Sequence, residues 1–113
     1  MSAVLGACHP DIEWWEREDV PDPTVHRGLD AVGARFAELD DVWTGLRLEP
    51  REFIDAGDFV VAMFYLTGRG RASGAAIEEN EVQVFRLRNG KIIELREYRD
   101  KAEALKAVGL EDE

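Results

Sequence analysis

The pair Asn89-Gly90 constrains this chain more than any other two residues. It lies between two β-rich runs, Glu-Val-Gln-Val-Phe-Arg-Leu-Arg (81–88) and Lys-Ile-Ile-Glu-Leu-Arg-Glu-Tyr-Arg (91–99). A two-residue type I′ hairpin needs positive φ at both central positions, and Asn followed by Gly supplies it at the least steric cost. Side chains alternate between faces along a strand. One face therefore collects Glu81, Gln83 and Phe85 with Leu95, Glu97 and Arg99. The other carries Val82, Val84 and Tyr98. Apolar walls with a few inward polar groups suggest a pocket. Valines on the opposite face are odd for a solvated surface and fit a buried contact with a second copy, a homodimer through the outer sheet face.

The rest of the chain supplies partners for this hairpin. Ser2–Cys8 reads as the end of a helix, stopped by His9-Pro10, because the residue before proline avoids the α region. Asp11–Glu18 reads as a strand with Ile12, Trp14 and Glu16 on one face and Glu13, Trp15 and Arg17 on the other. Val20–Gly28 is a loop on its two prolines. Leu29, Val32, Phe36 and Leu39 recur at helical spacing over 29–41, with Trp43 just beyond on the same stripe. Leu46–Ile54 is a strand in which Pro50 argues for an edge or a bulge, and Asp55–Asp58 is a turn. Phe59–Leu66 is the longest apolar run and reads as a central strand. Gly68–Gly74 is a flexible connection; it lacks the Gly-Lys-Ser/Thr and the following helix of a phosphate loop. The next strand covers 75–88. Asp100, with Glu103 three residues later, opens a last helix with apolar positions Ala102, Leu105 and Val108 and a C′ glycine at 109, before a frayed tail. Strands clustered after helices mean an α+β fold with an antiparallel sheet, one domain over 1–113.

Composition narrows the function. A net charge of −10 disfavours nucleic acid and anionic membranes, both of which need clustered Lys and Arg. No segment approaches the roughly 20 apolar residues of a membrane span. Cys8 is the only cysteine, so no internal disulfide forms; it is either a catalytic thiol or a buried structural residue. Together with the lack of a signal-peptide pattern this implies a cytoplasmic protein. His9 and His26 have no metal-ligand spacing, and His26 before a helix reads as a hydrogen-bonded anchor of its loop. Tyr65 and Tyr98 are possible donors to a pocket, with Tyr98 assigned by parity to the outer face.

Three stretches, taken together, carry a resemblance. They are Cys-His-Pro-Asp-Ile-Glu-Trp (8–14), Val-His-Arg-Gly (25–28) entering a helix, and the run from Phe-Arg-Leu-Arg-Asn-Gly-Lys-Ile to Arg-Glu-Tyr-Arg-Asp (85–100). In this order they resemble SnoaL-like proteins of the NTF2-like, or ketosteroid-isomerase-like, group. The resemblance implies a curved antiparallel sheet wrapped against helices into a cone with a cavity, with dimers formed through the outer sheet face. It does not imply one function, since this fold hosts isomerases, cyclases, hydrolases, dehydratases and binders. In the ketosteroid isomerases a carboxylate near the end of the first strand moves a proton, and Glu16 stands there. An acid on the strand before the last hairpin binds the enolate oxygen, and Gln83 occupies that position. The tyrosine of that site has no equivalent here. Members also begin with a longer helical region. The short start implies a truncated N-terminus or a partner over the cone mouth, with exposed apolar surface near Val4, Leu5 and Trp14 and marginal stability as a monomer.

These lines give three functional expectations. The first is a cavity for a small apolar or aromatic ligand, walled by Trp14, Phe36, Phe64, Phe85 and Leu95, with Glu81, Glu97 and Arg99 as pocket polar groups or a structural ion-pair cluster. The second is proton transfer without metal or organic cofactor, with Glu16 as a base whose pKa is raised beside Trp14, and Gln83 as the oxyanion donor. Glu16 as a solvated strand-end residue is the alternative. The third is an association module that uses only the outer sheet face.

Overall fold

A computed structural model describes residues 5–110. The expected helix over Ser2–Val4, the apolar surface at Val4 and the tail at 111–113 lie outside them. The described elements are β1 (Cys8–Trp15), β2 (Val25–Arg27), α1 (Gly28–Val42), β3 (Trp43–Ala56), β4 (Phe59–Gly70), β5 (Ala76–Arg88), β6 (Lys91–Tyr98) and α2 (Lys101–Ala107). Together they form one curved, unclosed six-stranded sheet with helices on it, an α+β arrangement of the NTF2-like kind.

The strand order is β2-β1-β6-β5-β4-β3. Every pairing is antiparallel except β1 with β6, which is parallel. A parallel neighbour requires a crossover, and the path from β1 through α1 and the β3–β6 meander supplies it. The β5–β6 turn forms as its residues dictate: φ is +52° at Asn89 and +76° at Gly90. Pro50 lies on β3, the sheet edge, beside a register shift between Pro50 and Glu52, so it both edges and bulges the strand.

Other local readings change. Of the expected helix before His9-Pro10, the described part is helical at Leu5 and Gly6, and the strand starts at Cys8, inside the range expected for the helix. Pro10 then falls where the β1–β6 register slips between Cys8 and Glu13, an irregularity that tolerates its missing donor. A short strand, β2, forms inside the expected loop because Val25–Arg27 pairs with Glu13–Trp15. Gly68–Gly74 is less a free connection than expected. β4 runs to Gly70, and Arg71 then binds the end of α1, its amide donating to Val42 O at 2.9 Å and its Nε to Asp40 O at 2.6 Å. Two otherwise orphaned helix carbonyls are satisfied this way.

The two faces of the sheet are covered by different helices. On the concave face, Val32 and Phe36 of α1 pack with Cys8, Ile12, Trp14 and Leu95. Trp14 is thus only 6% exposed, not part of an open apolar surface, and its ring lies 5.0 Å from that of Phe36. Leu5 packs partly against the same core. Leu29, expected on the buried stripe, sits at the open first turn and is exposed, and Trp43 starts β3 instead of extending the helix.

On the convex face α2 does the covering. Asp100 caps it by accepting from the Glu103 amide at 2.8 Å. Gly109, with φ +81°, ends it: Leu110 N donates to Leu105 O and Gly109 N to Lys106 O, the two bonds of a Schellman cap. The buried contact is Ala104 rather than the exposed Ala102. Ala104 sits against Val61, Val82 and Val84, with Tyr98, Leu105 and Val108 around them. Val82 and Val84, expected to meet a second copy, are therefore already buried within one chain.

Candidate functional site

Between α1, the β1 end and the concave face lies a cavity of about 390 Å³. Period-two alternation places its floor. β5 sends in Glu79, Glu81 and Gln83, and β6 sends in Leu95 and Glu97. Gln83 is the direct cross-strand neighbour of Glu97, and Leu95 pairs with Trp14 on β1. Arg35, Phe36 and Leu39 of α1 form one wall, and Leu46, Leu48 and Leu66 of β3 and β4 the opposite one. Val20 and Pro21 of the loop after β1 close over it.

Trp14, Glu16, Phe36, Glu81, Gln83, Leu95 and Glu97 thus meet around one space. Three expected members do not join them. Phe85 has the right parity but lies one repeat nearer the Asn-Gly turn, where it packs against the apolar core. Phe64 packs against Phe85 with tilted rings and edge-on against Phe53, at ring separations of 6.3 and 6.0 Å, an aromatic row beside the cavity. Arg99 lies past the end of β6, where strand alternation no longer applies; it is exposed and pairs with Asp100 and Glu103. Tyr65 is not a pocket donor either, since its ring carries Arg51 at 5.1 Å on the outer face. Arg17 and Arg35 border the cavity instead. By its spacing Arg35 falls with Asp30, Glu38 and Asp40 on the polar side of the helix, so nothing in the sequence marks it as a cavity residue.

The acids of the site divide by their partners. Glu16 is a clamp. Its Oε1 accepts from the Thr24 amide at 3.0 Å; its Oε2 accepts from His26 Nε2 at 3.1 Å and Arg35 Nε at 3.2 Å. Burial pushes its carboxyl up, but the bonds from His26 and Thr24 and the charges of His26 and Arg35 prevail and hold it below the usual range. The raised value expected beside Trp14 is therefore corrected: the strand neighbour is apolar, but β2, the loop and α1 bring three donors. His26 anchors the loop, as its position suggested.

Glu97 is the opposite case. Burial first, then the charge of Glu81, pushes it up to about 7, with Glu16 adding and Trp14 and Arg17 opposing. Glu81 is also raised, by burial above all and by Glu79, against the bond from Gln83 Nε2 at 3.2 Å. Neither acid has an ion-pair partner within 4.0 Å among the described residues. Cys8 is buried in the core away from this floor, and burial raises its thiol pKa. Among the described residues no three His, Cys, Asp or Glu side chains gather as a metal site, and no helix is long and apolar enough to cross a membrane.

Comparison with known proteins agrees with this geometry. Residues 1–95 match the SnoaL-like domain. The chain belongs to the SnoaL-like family. No curated protein matches it. Among solved structures, an NTF2-like protein from Burkholderia thailandensis is 27% identical, with a TM-score of 0.75 over 98% of this chain and 85% of that one. A SnoaL-like polyketide cyclase, so described, from Jannaschia is 20% identical, with a TM-score of 0.74 over 98% and 79%. A protein of ketosteroid-isomerase-like fold from Catenulispora acidiphila, solved with trimethylamine, is 16% identical, with a TM-score of 0.76 over 96% and 81%. The last two bear on the fold of this SnoaL-like chain alone.

Proposed function

We propose that this SnoaL-like protein binds a small, largely apolar molecule in the cavity over Glu81, Gln83 and Glu97. The volume is at the lower end for small-molecule sites, and apolar walls converging on a few polar groups are the usual form of one. A neutral aromatic alcohol such as 2-naphthol should bind saturably, followed by its fluorescence. Leu48→Trp, which fills the cavity from the β3 wall, should abolish that binding while the fold persists. Binding unchanged in Leu48→Trp would place the ligand elsewhere.

One observation favours a second reading, proton transfer: a cavity carboxyl at about 7 is tuned for acid–base work near neutral pH. In this reading Glu97 moves the proton, and Glu81, tethered by Gln83, tunes it. Glu16, already ionised and holding three donors, is the weaker base; Gln83 donates to Glu81 rather than to an oxyanion. A nitrobenzisoxazole, which opens only when a base removes its carbon-bound proton, separates these roles. The rate should rise through about pH 7, vanish in Glu97→Gln and persist in Glu16→Gln. The reverse pattern would return the base to Glu16.

A further inference from the structure

The charges lining the cavity do not balance. Arg35 is held by Glu16 at 3.2 Å and Glu38 at 3.3 Å. Arg17 is held by Asp19 through two bonds, of 2.9 and 3.1 Å. Each cation at the rim thus has its own carboxylate. Glu81 and Glu97 on the floor are left facing each other with no cation in contact, and Glu79 adds a third acid nearer the surface. A buried carboxylate without a positive partner is strongly disfavoured, so an empty site resolves the conflict by keeping a proton.

A second group in the same place is incomplete. The indole Nε1 of Trp14 is buried and reaches hydrogen-bonding geometry with no acceptor. It lies near Glu97, whose ionised form it favours. A buried donor left unpaired carries a penalty, and a carboxylate is a stronger acceptor for it than a neutral carboxyl. Whatever ionises Glu97 therefore also favours its pairing with the Trp14 N–H.

We infer that the ligand of this cavity is an organic cation, a compact amine whose ammonium group sits between Glu81 and Glu97 while its apolar body lies against Trp14, Phe36 and Leu48. This rests on the small-molecule reading above and names the charge of the ligand. The ammonium supplies the missing counter-charge, takes the place of the shared proton and leaves Glu97 ionised for the Trp14 N–H. Arg17 and Arg35 remain with Asp19 and Glu16 at the rim and give no purchase to an anion deeper in.

Three probes of one shape test this by calorimetry: 2-phenylethylamine, 2-phenylethanol and 3-phenylpropanoate. Near pH 8, where the amine is mostly an ammonium and Glu97 has lost most of its proton, the amine should bind at least about tenfold more tightly than the alcohol, and the acid more weakly than either. Near pH 6 amine binding should release protons, seen as an enthalpy that varies with the ionisation heat of the buffer. The groups that set that release are Glu97 and Glu81, with Glu16 from the end of β1, Arg17 from the loop and the Trp14 N–H around them. In Glu81→Gln/Glu97→Gln the amine should lose its advantage while the alcohol still binds.

An alcohol that binds as tightly as the amine overturns the cation inference and leaves the cavity reading standing. Failure of all three probes removes both. An amine preference that survives the double variant places the cation elsewhere and overturns the inference, and the wild-type comparison of amine with alcohol decides the matter without any variant.

Discussion

Glu16 and Glu97 border one cavity, the first from the end of β1 and the second from β6, the neighbouring strand. Burial acts on both in the same direction and is the largest influence on each. They nonetheless depart from the ordinary value in opposite senses. Glu16 lies where β2, the loop and α1 converge, and each supplies a donor. Glu97 lies near the end of β6 on the cavity floor, where its neighbours are Gln83, Leu95 and another acid. Depth alone thus does not tell a structural carboxylate from one kept ready for a ligand or a proton; the number of elements that converge on it does.

The widest test of this contrast is stability against pH, because the two shifts act with opposite sign. Glu97 holds its proton more tightly folded than unfolded. Between about pH 4.5 and about pH 7 the folded chain keeps a proton that the unfolded chain has released, so stability falls as pH rises through that window and levels off above it. The shift corresponds to about 3 kcal/mol. Relative to wild type, Glu97→Gln should gain roughly that amount between about pH 5 and about pH 8 in urea unfolding. Curves that stay parallel would mean that Glu97 is not under this stress.

Glu16 gives the next largest effect. Its folded pKa is lowered, so its contribution is present above about pH 4.5 and fades as pH falls through the folded value. Glu16→Ala strands the Thr24 amide, His26 and Arg35 at once and should cost about 2 kcal/mol near pH 7, with the Thr24 amide exchanging faster. Glu16→Gln should cost less, because it still accepts one bond. A loss confined to acid pH, or none at all, would dissolve the clamp. Wild type, with Glu16 ionised and Glu97 protonated, should be most stable near pH 5.

Much of the frame was legible because it depends on local rules. Asn89-Gly90 set the turn that joins β5 to β6, whereas Gln83 comes opposite Glu97 only because the register shifts by one residue between Arg86 and Leu87, which turn chemistry does not show. The 28–42 helix, the edge at Pro50 and the cap at Asp100 followed from spacing and turn chemistry. What was not legible depends on elements meeting from far apart in sequence. Arg35 looked solvent-facing because a helical wheel does not show that Glu16 comes to meet it. Val82 and Val84 looked like an association surface because parity says outward, while only the tertiary fold shows that Ala104 of α2 already covers them. The extent of the cavity is hidden from the sequence for a similar reason: alternation gives the face of Phe64 and Phe85 but not how far along the strands the hollow extends.

The smallest effect is the sharpest. Trp14→Phe keeps a ring against Phe36 but removes the indole N–H together with part of the buried ring, so the Glu97 titration, not stability, is the quantity to follow. That N–H favours the ionised form of Glu97, whereas Glu81 opposes it. Followed by carbon-13 NMR of the carboxyl groups, the Glu97 midpoint should rise in Trp14→Phe and fall in Glu81→Gln, while Glu16 keeps its low value in both. Movement of Glu97 in opposite directions by two neighbours, with Glu16 still, is what two separately governed acids require. A Glu97 midpoint unmoved by either change would make burial its sole cause, and the contrast between the two glutamates would reduce to one of depth.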